Sequence, residues 1–175
     1  RLPSRAHGLP GHARFFLPNN RRLTINAAHP FSRGMRPMNL AEKQRALIDD
    51  LAIVEDRHER LALVVERSRR VPALPVAEKN DATRVAGCVS PVWLIGEFRD
   101  GRLMLRFDAE SPMVRALVAL MVELYDGATP AEIVSTDPIL FDALGFNRDL
   151  SPTRRNGLAA VRARIKRLAE KHLAA

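Results

Sequence analysis

The stretch Val92-Trp93-Leu94-Ile95-Gly96-Glu97-Phe98-Arg99-Asp100-Gly101-Arg102-Leu103-Met104-Leu105-Arg106-Phe107-Asp108 decides the fold class. Val92, Leu94, Gly96 and Phe98 alternate with Trp93, Ile95 and Glu97. After a break, Leu103, Leu105 and Phe107 alternate with Met104, Arg106 and Asp108. A period of two places each set on one face of a strand. Asp100-Gly101, between the runs, tolerates the positive φ angles of a tight hairpin turn. Just upstream, Ala82 to Cys88 is short and β-compatible. The spacing therefore predicts a small antiparallel sheet of three strands.

Around this sheet the pattern is helical. Asn39-Leu40-Ala41-Glu42 is a capping-box string, so a helix is expected to about Asp50. A second helix is expected from roughly Ile53 to Arg70, with Val54, Leu61, Val64 and Val65 on one face. Pro72 and Pro75 end it and lead into a loop over about 71–81. Downstream, Ser111-Pro112, Thr129-Pro130 and Ser151-Pro152 each pair a capping residue with proline at the first helical position. They predict a helix to about Asp126, stopped by Gly127, then a helix with its own capping box through Glu132. The last is a long closing helix to about His172, with Leu158, Val161, Ile165 and Leu168 along one face. Asp137-Pro138 marks a further short helix. The order helices, strands, helices is that of an α+β fold with helices packed on one face of the sheet. No internal repeat is visible.

The chain has 175 residues, 46% hydrophobic and 27% charged, the composition of a single globular domain with a core. No apolar run approaches the roughly 20 residues that span a bilayer. One cysteine and no signal-peptide pattern point to a reducing compartment, most simply the cytoplasm. The net charge of +8 invites a nucleic-acid reading, but seven of those charges are arginines within residues 1–37, which hold no Asp, Glu or Lys. Residues 38–175 are nearly neutral, whereas phosphate binding places its basic excess on the fold itself. Nucleic acid and membrane are accordingly not expected partners. Residues 1–37 show no period and five prolines, and read as a disordered Arg-rich extension. A start set too far upstream, a fusion remnant, a targeting segment and a nucleic-acid arm are open readings of it. The domain proper is expected over 38–175.

Cys88, the one cysteine, lies in Gly87-Cys88-Val89-Ser90-Pro91-Val92-Trp93. A single thiol forms no internal disulfide and no cysteine-rich metal site. As a bland reading it is a small buried hydrophobe. Three features favour a presented thiol. The residue sits at a boundary between two strand patterns, Gly87 frees the backbone before it, and Pro91 removes a ladder donor after it. Ser90 is placed to hydrogen-bond a neighbouring backbone group or the sulfur. Of the five histidines, His7, His12 and His29 lie in the extension, His58 in the charged second helix and His172 near the end, so none is an obvious base for a Cys–His dyad. Metal-ligand spacing and a phosphate loop are both missing from the sequence. Trp93 and Phe98 read as core. Arg154-Arg155 places two cations in the first turn of the closing helix, against its dipole, which suits a partner or functional contact, with a solvated arginine the default reading for at least one of them.

Three strings together resemble the SufE/CsdE sulfur acceptors of iron–sulfur cluster assembly. The centre is Gly87-Cys88-x-Ser90-x-Val92-Trp93. The second is Leu124-Tyr125-Asp126-Gly127-Ala128-Thr129-Pro130-Ala131-Glu132-Ile133-Val134. The third is Leu150-Ser151-Pro152-Thr153-Arg154-Arg155-Asn156-Gly157-Leu158. Each is weak alone; in this order, around the one cysteine, they are specific, and they span most of residues 40–170.

The resemblance implies a SufE/IscU-like α+β fold and a mechanism. A cysteine desulfurase (SufS/CsdA-like) removes sulfur from free cysteine and holds it as a persulfide. Cys88 is then the nucleophile that takes the outer sulfur, stimulates the desulfurase and delivers sulfur to a cluster scaffold (SufBCD-like). Pyridoxal phosphate belongs to the desulfurase; no cofactor or metal is expected on this chain, nor an independent enzyme activity. Gly87, Ser90 and Arg154 are implied as loop support or partner contact. The resemblance also implies that the cysteine is tucked into an apolar pocket, for which Val89, Val92 and the helix from Ser111 are candidates. The alternatives are a binding module whose cysteine is structural, and an IscU-like cluster scaffold, which would need several ligating cysteines.

Overall fold

A computed structural model describes residues 38–173. The reading of residues 1–37 as an extension lies outside the described residues. The hairpin forms as the alternation predicts. Strands β1 (Val92–Arg99) and β2 (Arg102–Ala109) pair antiparallel, Leu94 opposite Phe107 and Phe98 opposite Leu103. Asp100 (φ 51°) and Gly101 (φ 75°) both adopt positive φ, and Arg99 faces Arg102 across them. This is the two-residue turn whose twist matches that of the strands. Val92, Leu94, Leu103, Leu105 and Phe107 are buried on one face.

The expected third strand does not form, and among the described residues the sheet has two strands. Arg84 makes a single bridge to Trp93, where the Val85 amide donates to the Val92 carbonyl and the Leu94 amide to the Thr83 carbonyl, both at 2.8 Å. Local chemistry uses up the rest of the segment. The Asn80 side chain accepts from the amides of Ala82 and Thr83, turning the chain before the bridge. Gly87, at φ 90°, turns it after the bridge. On the opposite side, the edge of β2 is closed by the second of the three strings. Asp126 Oδ1 accepts from the Leu105 amide at 2.7 Å, the Gly127 amide donates to the Leu103 carbonyl, and the Leu103 amide to the Ala128 carbonyl.

Helix α1 (Leu40–Ala52) carries the expected capping box from Asn39 and Glu42. Helix α2 (Arg57–Ser68) begins later than predicted, because Asp56 accepts from the amides of His58 and Glu59 and so caps it. Ile53 is left outside it, exposed. Helix α3 (Pro112–Tyr125) is the centre of the core: Ala116, Leu117, Val118, Leu120, Met121 and Leu124 are all buried. It packs against α2 and β2. Helices α4 (Pro130–Ser135) and α5 (Leu140–Ala143) follow, α5 starting past the predicted Asp137-Pro138. Helix α6 (Pro152–Glu170) closes the fold, burying Leu158, Val161 and Ile165, and packs on α3, α4 and β1. Its approach to β1 depends on Gly96, where a Cβ would stand 2.9 Å from Leu168 Cδ1. None of the described helices is long and apolar enough to cross a membrane.

Two core expectations change. Phe98 lies past Gly96, near the hairpin tip, and is 39% exposed. It stacks on His172, with centroids 4.3 Å apart and planes 7° from parallel. Trp93 is half-buried on the sheet's other face, beneath Lys79. That face is covered at one end through Asp108, which is buried. Asp108 pairs with Arg115 and, at 2.6 Å, with Lys79, and accepts from the Leu74 amide at 3.2 Å. Burial alone would raise its pKa; the Lys79 hydrogen bond, the Ala109 amide and Arg115 outweigh it and hold the carboxylate below the usual range.

Candidate functional site

Cys88 stands on the loop between the Arg84 bridge and β1. Gly87 at φ 90° sets the turn, and a Cβ there would stand 3.4 Å from Ala160 Cβ. The loop therefore lies directly on α6. The Cys88 side chain is half-buried, and its Sγ donates to the Gly157 carbonyl at 3.4 Å. A Cβ at Gly157 would stand 3.6 Å from the sulfur, at ordinary contact distance.

The thiol borders a cavity of about 330 Å³. Its apolar wall comes from Val114, Leu117 and Val118 of α3 and Leu158 and Val161 of α6. Its mouth is formed by Val89, Ser90, Ser151, Thr153 and Arg154. Loop, central helix and closing helix thus converge on one sulfur. Burial pushes the Cys88 thiol above its ordinary pKa. At rest the site holds a protonated thiol with apolar space beside it.

The four residues singled out in the sequence come together here. Gly87, Ser90 and Arg154 all flank Cys88 in space, although Arg154 is remote in sequence. Ser90 makes no hydrogen bond among the described residues, so it does not hold the sulfur in this state. The Arg154-Arg155 pair divides. Arg155 reaches back to the carbonyls of Leu150 at 2.9 Å and Asn147 at 3.3 Å and secures the entry to α6. Arg154 is exposed at the cavity mouth, and its guanidinium makes no hydrogen bond or ion pair among the described residues. Val89 is 79% exposed at the loop tip. Val92, an expected pocket residue, is instead sealed in the core.

Neither described histidine serves the thiol. His58 is exposed beside Asp56, and His172 is stacked on Phe98. Sequence reasoning missed the part played by α6, Gly157 above all. The signal was available: glycine inside a helix costs about 1 kcal/mol relative to alanine and points to a close approach.

The model of the SufE domain, an Fe–S metabolism associated domain, matches residues 45–169. The chain belongs to the SufE family. The sulfur acceptor protein CsdE of Escherichia coli is 34% identical over 139 residues, 77% of this chain and 88% of CsdE. A SufE-like protein of Rhizobium meliloti is 32% identical over 134 residues, 74% of this chain and 96% of that protein. The SufE fold of this chain also resembles the solution structure of a hypothetical protein from Thermus thermophilus, with a TM-score of 0.63 at 22% identity. That alignment covers 76% of this chain and 97% of the other, and it is a likeness of fold alone.

Proposed function

We propose that this SufE-family chain is a sulfur acceptor and carrier that works through Cys88. The observation that carries the reading is a lone thiol half-buried over an apolar cavity on a loop, in a chain whose relative CsdE is a sulfur acceptor. The donor is a cysteine desulfurase holding a persulfide. The Cys88 thiolate attacks the outer sulfur; the donor's S–S bond breaks and its cysteine leaves as a thiolate. The Cys88 proton ends on that leaving sulfur, and no external oxidant or reductant is needed. The step is related to thiol–disulfide exchange, so thiolate fraction, leaving-group pKa and access govern its rate.

A half-buried, protonated thiol is slow in this chemistry. The partner therefore has two tasks, to draw Cys88 away from Gly157 and to help remove its proton. Arg154 is the charged contact for that docking, free to engage because its guanidinium has no partner among the described residues. The cavity walls then shield the bound outer sulfur from solution thiols. Delivery of the sulfur to a cluster scaffold follows as a second exchange. The reading is tested by desulfurase turnover with and without the chain: stimulation by the wild type, and none by Cys88→Ser, is expected. Equal stimulation by both would remove Cys88 from the mechanism.

A further inference from the structure

Cys88 Sγ bonds to Gly157, Gly87 abuts Ala160, and the Ala82 carbonyl accepts from Arg164 Nη2 at 2.8 Å. Residues 157, 160 and 164 lie on one face of α6, since helical positions three, four and seven apart share a face. The segment from Ala82 to Cys88 therefore runs antiparallel along that face. Of the three contacts, two are made on α6 by small residues, Gly157 and Ala160. Arg164 differs from them, because it grips a backbone carbonyl with a long side chain whose Nε is buried without a hydrogen-bond partner among the described residues. Desolvating that nitrogen is unfavourable unless something is gained. The grip lies just outside the Arg84 bridge, at the base of the loop.

We propose that Arg164 is a positioning residue for the Cys88 loop: by holding the Ala82 carbonyl to α6, it sets how deeply the thiol sits over the cavity. It touches neither the sulfur nor the donor and acts through the loop. The relevance of this clamp to sulfur transfer rests on the acceptor reading, but the clamp itself is testable without a desulfurase.

The experiment is alkylation of Cys88 by iodoacetamide across a pH series, in the full chain and its variants. Arg164→Met keeps the apolar stem packed while removing the donors. It is expected to speed alkylation about threefold, the scale of one lost hydrogen bond in a loop-opening equilibrium. It should also move the inflection of the pH–rate profile down, and Arg164→Lys, which keeps a donor, should restore most of the wild-type behaviour. Urea unfolding followed by Trp93 fluorescence should show a stability loss no larger than the free-energy equivalent of that threefold change. Wild-type rate and inflection in Arg164→Met would overturn the clamp. So would an acceleration accompanied by a stability loss well beyond that equivalent, which marks general loosening. Should Arg164→Met not fold, Arg164→Gln, with a shorter donor, is read by the same two criteria. A normal clamp alongside a chain that accepts no sulfur would sink the functional reading and leave the positioning result standing.

Discussion

The Cys88 thiol rests on the carbonyl of Gly157, 3.4 Å away, so the chain's one thiol leans on helix backbone rather than on a base. A thiol can donate to a carbonyl, whereas a thiolate is repelled by it. Burial acts in the same direction. The fold thus stabilises the neutral form.

The first consequence is a pH dependence. A group with its pKa raised on folding contributes stability below its unfolded value, and that contribution is lost as pH rises through the folded one. The alkylation rate of folded Cys88 should therefore inflect above the ordinary cysteine value of about 8.5. In urea the inflection should fall back to that value. A folded inflection at or below the unfolded one would contradict the half-buried resting state.

Gly157 gives a second expectation, in which stability and transfer part. A methyl there reaches ordinary contact distance from Sγ without a clash, so Gly157→Ala should fold. Removing a mid-helix glycine is worth up to about 1 kcal/mol of added stability, readable by urea denaturation. The same methyl takes space beside the sulfur, and single-turnover sulfur acceptance should slow several-fold. A variant that is both more stable and equally fast would show that the gap serves packing only.

The two arginines that open α6 should separate cleanly. Arg155→Ala removes two hydrogen bonds to carbonyls and should cost about 1 kcal/mol of stability. Arg154→Ala should leave the urea midpoint unchanged, because the side chain is exposed and unpaired among the described residues. Its effect should fall on desulfurase stimulation, reduced several-fold at low partner concentration. Full stimulation by Arg154→Ala would retire it as a docking contact.

What could be read in the sequence follows from the range of the forces involved. The hairpin was legible because period-two alternation and the Asp100-Gly101 turn are local signals that agree. The starts of α1, α3, α4 and α6 were legible for the same reason, each marked by a cap whose side chain bonds the first turn. The segment Ala82 to Cys88 misled because its composition suits a strand while the Asn80 side chain and Gly87 φ decide otherwise. Phe98 looked like core because alternation says which face a side chain takes, not how far the covering helix extends. At the site, Cys88, Gly87 and Ser90 were visible as one string, and Arg154 joined them through family resemblance. The seat on α6 was not visible. Gly157 stands 69 positions from Cys88 in the chain, and only packing brings them together.

The central claim is that Cys88 accepts sulfur from a desulfurase persulfide. Its most direct measurement is the intact mass of the chain after incubation with an active cysteine desulfurase, pyridoxal phosphate and free cysteine. The account predicts that the wild type gains the mass of one sulfur atom, lost again on reduction, and that Cys88→Ser gains nothing. An unmodified wild type beside a desulfurase shown to be turning over would contradict it.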